Sequence, residues 1–174
     1  MMRTGADEAA APKYAHVERE RRWLIDPASR PAPGAAHLLI EDRYIAGTRM
    51  RLRRMTDSAS GAVALKLTKK YDAADPLARA IVTAYLDDAE FALLAGLPGA
   101  MIVKRRFDLC SHGVTYSLDR FEGALAGLEL AEIEWADDAG LRGLPAPPGA
   151  IREVSNDPRY QGGSLVAAGI PKEE

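Results

Sequence analysis

Charged side chains recur at alternate positions in five segments of this 174-residue chain. The pairs are Glu18 and Glu20, Arg49 and Arg51, Lys66 with Lys70, Lys104 and Arg106, and Glu132 and Glu134. Successive side chains of a strand point to opposite faces, so each pair places its charges on one face. One such face is common on a solvated sheet, but five favour a sheet closed around a polar interior. The sequence therefore predicts an α+β fold: a mostly antiparallel, closed β-barrel of about eight strands, with a charged lumen and helices packed outside.

The most regular alternation runs through three arginines, Arg49, Arg51 and Arg53, which fall on one face of a predicted strand. A turn rich in Ser and Gly follows, and the return strand carries Lys66 and Lys70 on a common face. A hairpin would place these basic faces side by side. Adjacent basic faces concentrate positive potential, which is typical of a polyanion site.

The main helix is predicted over residues 87–97, with Asp87 as its N-cap. Its apolar residues are expected to form one apolar face that packs in the core. They are Phe91, Leu93, Leu94 and Leu97. Shorter helices are expected at the start of residues 136–150 and over residues 162–169.

Composition excludes several classes of site. The net charge of −2 gives no overall basic character that would favour nucleic acid as a partner. The single cysteine, Cys110, rules out an internal disulfide and a zinc site built on several cysteines. His112 lies too close along the chain to serve Cys110 as a catalytic base, so Cys110 is read as a structural residue.

Domain organisation is predicted to be simple. Residues 1–13 are expected to form a disordered leader, residues 14–170 one barrel domain, and residues 171–174 a tail. The first twelve residues lack the apolar core of a signal peptide, and no stretch is long enough to span a membrane. These features predict a cytoplasmic protein.

The order of the charged motifs resembles that of the CYTH family, the triphosphate tunnel metalloenzymes. The motifs are Glu18-x-Glu20-x-Arg22, Arg49-x-Arg51, Lys66, Lys104-x-Arg106, Asp119, Glu132-x-Glu134, and the C-terminal run from Glu153 to Tyr160. The resemblance extends over roughly residues 14–170, nearly the whole chain. Relatives in this family include inorganic triphosphatases, thiamine triphosphatases and class IV adenylate cyclases.

The resemblance implies metal-dependent hydrolysis of a triphosphate compound, with inorganic tripolyphosphate as the first candidate and Mg²⁺ or Mn²⁺ as the cofactor. The implied metal ligands are Glu18, Glu20, Asp119, Glu132 and Glu134. The implied substrate-binding residues are Arg22, Arg49, Arg51, Arg53, Lys66, Lys70, Lys104 and Arg106. The implied catalytic residues are Arg22, Lys66 and Glu134.

The chain departs from the family pattern at Arg22, at Ile81 and Thr83, and in its C-terminal part. That part carries Gln161-Gly162-Gly163, where relatives often have asparagines. Arg22 stands where relatives usually carry lysine, and an arginine stays protonated, so it can bind phosphate but cannot act as a base. Ile81 and Thr83 stand where many relatives carry acids, which puts a metal-site contribution from that strand in doubt.

These departures leave alternatives open. The chain could instead be a class IV-type adenylate cyclase, a module that binds phosphate ligands or polyphosphate without turnover, or a barrel whose charged faces are simply solvated. Neither nucleic acid nor a membrane is an expected partner. Some relatives form dimers, so a homodimer is also left open.

Overall fold

The computed structural model describes residues 12–172. Residues 1–11 of the predicted leader lie outside the described residues, as do residues 173 and 174 of the predicted tail. Within the described range, no helix is both long and apolar enough to cross a membrane.

The described part of the chain forms nine strands, with one α-helix between the fifth and sixth strands and two more after the eighth. The strands are β1 (His16–Ile25), β2 (Leu38–Ile45), β3 (Met50–Asp57), β4 (Val63–Lys70), β5 (Ala78–Tyr85), β6 (Gly99–Ser111), β7 (Val114–Phe121), β8 (Glu129–Glu134) and β9 (Ala150–Glu153). The α-helices are α1 (Asp88–Ala95), α2 (Asp138–Gly143) and α3 (Gly162–Ala168), and 3₁₀ turns lie at Gly123–Leu125 and Pro158–Tyr160.

Strand β1 closes the sheet into a barrel. The strands run in the order β5-β4-β3-β2-β6-β7-β8-β1, and the first half of β1 returns to pair with β5. All of these pairings are antiparallel, and the second half of β1 also carries the short strand β9 on its outer edge. The predicted antiparallel barrel of about eight strands is therefore confirmed.

The register of the strands explains why charges meet inside the barrel. Glu20 lies opposite Glu134 and Arg22 opposite Glu132 in the β1–β8 pair. Arg106 lies opposite Asp119 in the β6–β7 pair. Directly opposed residues share a face, so alternate residues from every strand converge on one interior.

Apolar residues pack in two clusters. One lies where the outward faces of β1, β6, β7 and β8 are covered by α2, around Trp23, Tyr116 and Leu141. The other joins interior residues such as Phe121 and Leu130 to the C-terminal part of the chain. We call residues 155–168 the C-terminal segment; Tyr160 and Leu165 are its buried anchors.

The packing expected for the main helix is wrong. Helix α1 begins after Asp87 as predicted, and Asp87 forms a capping box with Glu90. None of the α1 residues is buried, however, and Leu93 is 79% exposed while Leu97, just past the helix, is 39% exposed. Residues 91 and 94 lie on one side of a helix and residues 93 and 97 on the other. The apolar residues therefore never formed a single face.

Candidate active site

A cavity of about 390 Å³ occupies the interior of the barrel. Its charged lining combines both signs: Arg22, Arg49, Arg51, Arg53, Lys70, Arg79, Lys104 and Arg106, with Glu18, Glu20, Asp42, Asp72, Glu132 and Glu134. The C-terminal segment covers part of it with Ser155, Tyr160, Gln161, Gly162 and Gly163. A lumen lined by both signs can take up an anion and a cation together.

Three carboxylates form a cluster in this lining. Glu18, Glu20 and Glu134 each place an oxygen within 4.8 Å of the others. Burial raises the pKa of Glu20, and the nearby charge of Glu132 raises it further. Burial and the negative charges of Glu18 and Glu20 likewise raise the pKa of Glu134. Bringing these acids together costs free energy that a cation between them would offset.

Glu18 pairs with a lysine, and its pKa shifts in the opposite direction from the pKa values of Glu20 and Glu134. The ammonium of Lys70 lies 2.6 Å from a Glu18 oxygen. Burial alone would raise the pKa of Glu18, but the charge of Lys70 and its hydrogen bond outweigh burial and lower it. Glu18 is therefore the carboxylate of the cluster most firmly held in its ionised form.

Two arginine side chains of the cavity wall are held by the carboxylate of Glu132. Arg22 Nε lies 2.8 Å from one oxygen of Glu132, and Arg106 Nη2 donates to the other at 2.7 Å. Burial would raise the pKa of Glu132, but the charges of Arg22, Lys104 and Arg106 outweigh it and hold the pKa well below its usual range. Glu132 thus stays ionised and fixes two guanidinium groups in the cavity wall.

Asp119 anchors the next part of the wall. Its side chain is fully buried, and Arg106 donates to both of its oxygens at 2.7 Å from Nε and Nη2. The ammonium of Lys104 also bonds to Asp119. Burial outweighs that partner and lowers the pKa of Lys104. Asp119 does not itself line the cavity; it holds two cations that do.

Sequence reasoning missed Asp42. Its carboxylate is 1% exposed and accepts from Arg53 Nε at 2.6 Å and from Arg53 Nη2 at 2.7 Å, and Arg51 Nε lies 3.6 Å away. Asp42 and Tyr44 alternate on β2 and both line the cavity. Asp42 lies between Glu41 and Arg43, and its place two residues before Tyr44, on the same strand face, was the signal available in the sequence.

Arg22 connects the acids to the C-terminal segment. Its Nη2 donates to Glu20 at 2.6 Å and its Nη1 donates to the carbonyl oxygen of Tyr160 at 2.8 Å. The backbone N–H of Arg22 also donates to Ser155 Oγ at 2.9 Å. A guanidinium has five N–H donors on three nitrogens, so it can hold these groups and Glu132 at once. The ammonium of a lysine has its three donors on one nitrogen and could not reach all of them.

The structure brings most of the predicted site residues into one cavity. Those that line it are Glu18, Glu20, Arg22, Arg49, Arg51, Arg53, Lys70, Lys104, Arg106, Glu132 and Glu134. Lys66 does not line it; its ammonium lies 4.9 Å from the ring centroid of Tyr85. Ile81 lies opposite His16 in the register, and Thr83 hydrogen-bonds Thr68 at 3.0 Å. The roles of all these residues stay predictions.

The donor set of the carboxylate cluster fits the cofactor that the family resemblance implies. Mg²⁺ and Mn²⁺ are hard cations that prefer carboxylate oxygens. Glu18, Glu20 and Glu134 offer such oxygens at one place. Burial and the neighbouring carboxylates raise the pKa values of Glu20 and Glu134, and a cation bound there would favour their ionised forms. Among residues 12–172, no histidine or cysteine that would favour a softer ion lines the cavity.

Comparison with known proteins gives a short sequence match and a similar fold. No protein-family profile matches the chain. The chain is 38% identical over 66 residues to an inorganic triphosphatase of Acetivibrio thermocellus, a match that covers 38% of this chain and 41% of that protein. This chain therefore spans about two fifths of the length of that relative.

Solved structures extend the similarity over the whole barrel. The crystal structure of the hypothetical protein NE1496 has a TM-score of 0.57 at 25% identity, and covers 88% of this chain and 99% of that one. The crystal structure of the inorganic triphosphatase NE1496 has a TM-score of 0.56 at 23% identity, and covers 89% and 97%. With the closed eight-stranded barrel, these matches show that the chain shares the fold of the NE1496 structures, and they support its resemblance to the CYTH family.

Proposed function

We propose that this protein is a metal-dependent phosphohydrolase that cleaves a linear triphosphate compound, with inorganic tripolyphosphate as the first candidate substrate. The observation that carries the proposal is the placement of the carboxylate cluster in the same cavity as the basic side chains. The names of the similar proteins, inorganic triphosphatases, support the same reaction.

The basic wall suits a chain of phosphates. Planar guanidinium groups meet phosphate oxygens through two parallel hydrogen bonds, and a lysine adds a compact charge. Asp42 holds Arg53 in place and Asp119 holds Arg106, so these groups lose little freedom when a substrate binds. Their fixed charges would stabilise the negative charge that develops on the leaving phosphate.

Glu18, Glu20 and Glu134 are the residues that we expect to hold Mg²⁺ or Mn²⁺. A divalent ion at such a site supplies Lewis-acid polarisation of phosphoryl oxygens and lowers the pKa of bound water. In this proposal Glu132 and Asp119 orient the cations that bind phosphate. Lys66, which lies against Tyr85, stays outside the machinery.

The proposal is tested by assaying purified protein on tripolyphosphate, thiamine triphosphate and ATP, each with Mg²⁺, Mn²⁺ or EDTA. We expect metal-dependent release of phosphate, fastest from tripolyphosphate, and none in EDTA. Formation of cyclic AMP from ATP would replace the proposal with a cyclase. Tight binding of tripolyphosphate without any product would replace it with a binding module.

A further inference from the structure

Arg79 differs from every other basic residue of the cavity lining. Seven of the eight have a carboxylate oxygen within 4.0 Å: Arg22, Arg49, Arg51, Arg53, Lys70, Lys104 and Arg106. Arg79 has no such partner anywhere in residues 12–172. It is the uncompensated cation of the lining as far as the structure describes the chain.

The side chain of Arg79 is nevertheless held in place. Its Nη1 donates to Gln161 Oε1 of the C-terminal segment at 3.1 Å. Its Nε is buried and has no hydrogen-bond partner among the described residues. The Nε atoms of Arg22 and Arg51 also lack hydrogen bonds of good geometry, but each lies near a carboxylate, at 2.8 Å from Glu132 and 3.6 Å from Asp42.

A half-buried guanidinium without a counter-charge is unfavourable for the unliganded protein. A buried N–H that makes no hydrogen bond adds to that cost. Both costs disappear when an oxyanion binds, because its oxygens supply the missing charge and the missing acceptor. A neutral amide at position 161 orients the guanidinium without neutralising it, which a carboxylate there would do.

We propose that Arg79 is an anion-binding residue that receives a phosphate group of the substrate, and that Gln161 is its positioning residue. The proposal rests on the proposed function for the identity of the substrate, but it stands on Arg79's own environment. In the β1–β5 pair Arg79 lies opposite Glu18, a member of the carboxylate cluster. A phosphate held by Arg79 would therefore neighbour the cation that the cluster is expected to hold.

The test is calorimetric titration of tripolyphosphate, in EDTA, into wild type, Arg79→Gln, Gln161→Glu and the double variant. Loss of a charge-assisted hydrogen-bonding pair should raise the Kd of Arg79→Gln about tenfold or more. Gln161→Glu should also raise the Kd, because it gives Arg79 a carboxylate partner. That effect should be much smaller in the Arg79→Gln background, since the two residues act through one contact.

Arg54→Gln is the matched control, since Arg54 is an exposed arginine of β3 that does not line the cavity. Melting temperatures of all variants check that the fold is retained. Because Gln161 lines the cavity, Glu at this position would also repel the anion directly. A merely structural Arg79 therefore predicts that Gln161→Glu raises the Kd by the same factor in the wild type and in the Arg79→Gln background.

The outcomes separate this inference from the proposed function. Binding by Arg79→Gln as tight as by Arg54→Gln would overturn the inference, even if the wild type hydrolyses tripolyphosphate. Binding that depends on Arg79, without any hydrolysis when Mg²⁺ or Mn²⁺ is supplied, would support the inference and overturn the proposed function. A wild type that binds neither tripolyphosphate nor inorganic phosphate, and releases no phosphate from tripolyphosphate with Mg²⁺ or Mn²⁺, would overturn both.

Discussion

Among individual residues, Asp42 is the buried acid that holds arginine side chains of β3 in place. It holds Arg53 through two hydrogen bonds and lies near Arg51. Replacing it by Asn would leave Arg53 buried without a counter-charge. Breaking a buried pair in this way costs about 3–5 kcal/mol.

We therefore predict that Asp42→Asn lowers the free energy of unfolding by several kcal/mol in urea titrations, on the order of that cost. The exposed Asp108→Asn is the matched control and should change it by less than about 0.5 kcal/mol. Equal stabilities of the two variants would show that the Asp42–Arg53 pair does not stabilise the fold.

The lowered pKa of Asp42 predicts how the free energy of unfolding depends on pH. Burial would raise the pKa of Asp42, but the hydrogen bonds and charge of Arg53 outweigh burial and lower it from 3.8. The folded state then binds fewer protons here than the unfolded state, so this contribution is complete above the unfolded pKa. It is lost as the pH falls below 3.8 and through the folded pKa.

Urea titrations in this acidic range should show stability falling with pH. The loss attributable to this residue should be missing in Asp42→Asn. Identical pH dependences in wild type and variant would contradict the assignment of the pKa shift to Asp42.

Among the secondary-structure elements, α3 depends on a close approach to the barrel. A Cβ at Gly162 would overlap the hydroxyl of Tyr44, whereas a Cβ at Gly163 would meet nothing within 4 Å. We predict that Gly162→Ala displaces α3, lowers the melting temperature and raises the KM for tripolyphosphate. Gly163→Ala should change neither, apart from the small gain in helix propensity. Matching behaviour of the two variants would show that this contact does not seat the C-terminal segment.

Helix α1 marks a limit of pattern reasoning. Its start was predictable, because the capping box of Asp87 and Glu90 is local. Its packing was predicted wrongly, because Phe91 and Leu94 lie on the opposite side of the helix from Leu93 and Leu97.

The exposure of α1 predicts that Leu93→Glu changes the free energy of unfolding by less than about 0.5 kcal/mol. Leu52→Ala, at a leucine that is 1% exposed on β3, should cost about 2–5 kcal/mol. Urea titrations of both variants check this. A large loss for Leu93→Glu would mean that this face of α1 is covered in solution.

For the barrel as one body, alternation within each strand identified most of the residues that line the cavity, because the face of a side chain is decided locally. Pairing between distant strands is not local. No pattern in the sequence showed that β1 closes on β5, or that Gln161 reaches Arg79.

Lys66 shares a face with Lys70 but does not line the cavity, since position along the barrel depends on strand stagger. Asp42 and Arg79 were missed because single charges make no repeated pattern.

The most direct measurement is the initial rate of phosphate release from tripolyphosphate as Mn²⁺ is titrated into EDTA-treated wild type, Glu134→Gln and Glu41→Gln. Glu134 belongs to the carboxylate cluster, whereas Glu41 lies on β2 outside the cavity lining. We predict a rate that rises from zero to saturation in wild type and Glu41→Gln. In Glu134→Gln the rate should be at least about 100-fold lower, or need far more Mn²⁺. A rate independent of Mn²⁺, or unchanged by Glu134→Gln, would contradict a metal-dependent triphosphatase built on this cluster.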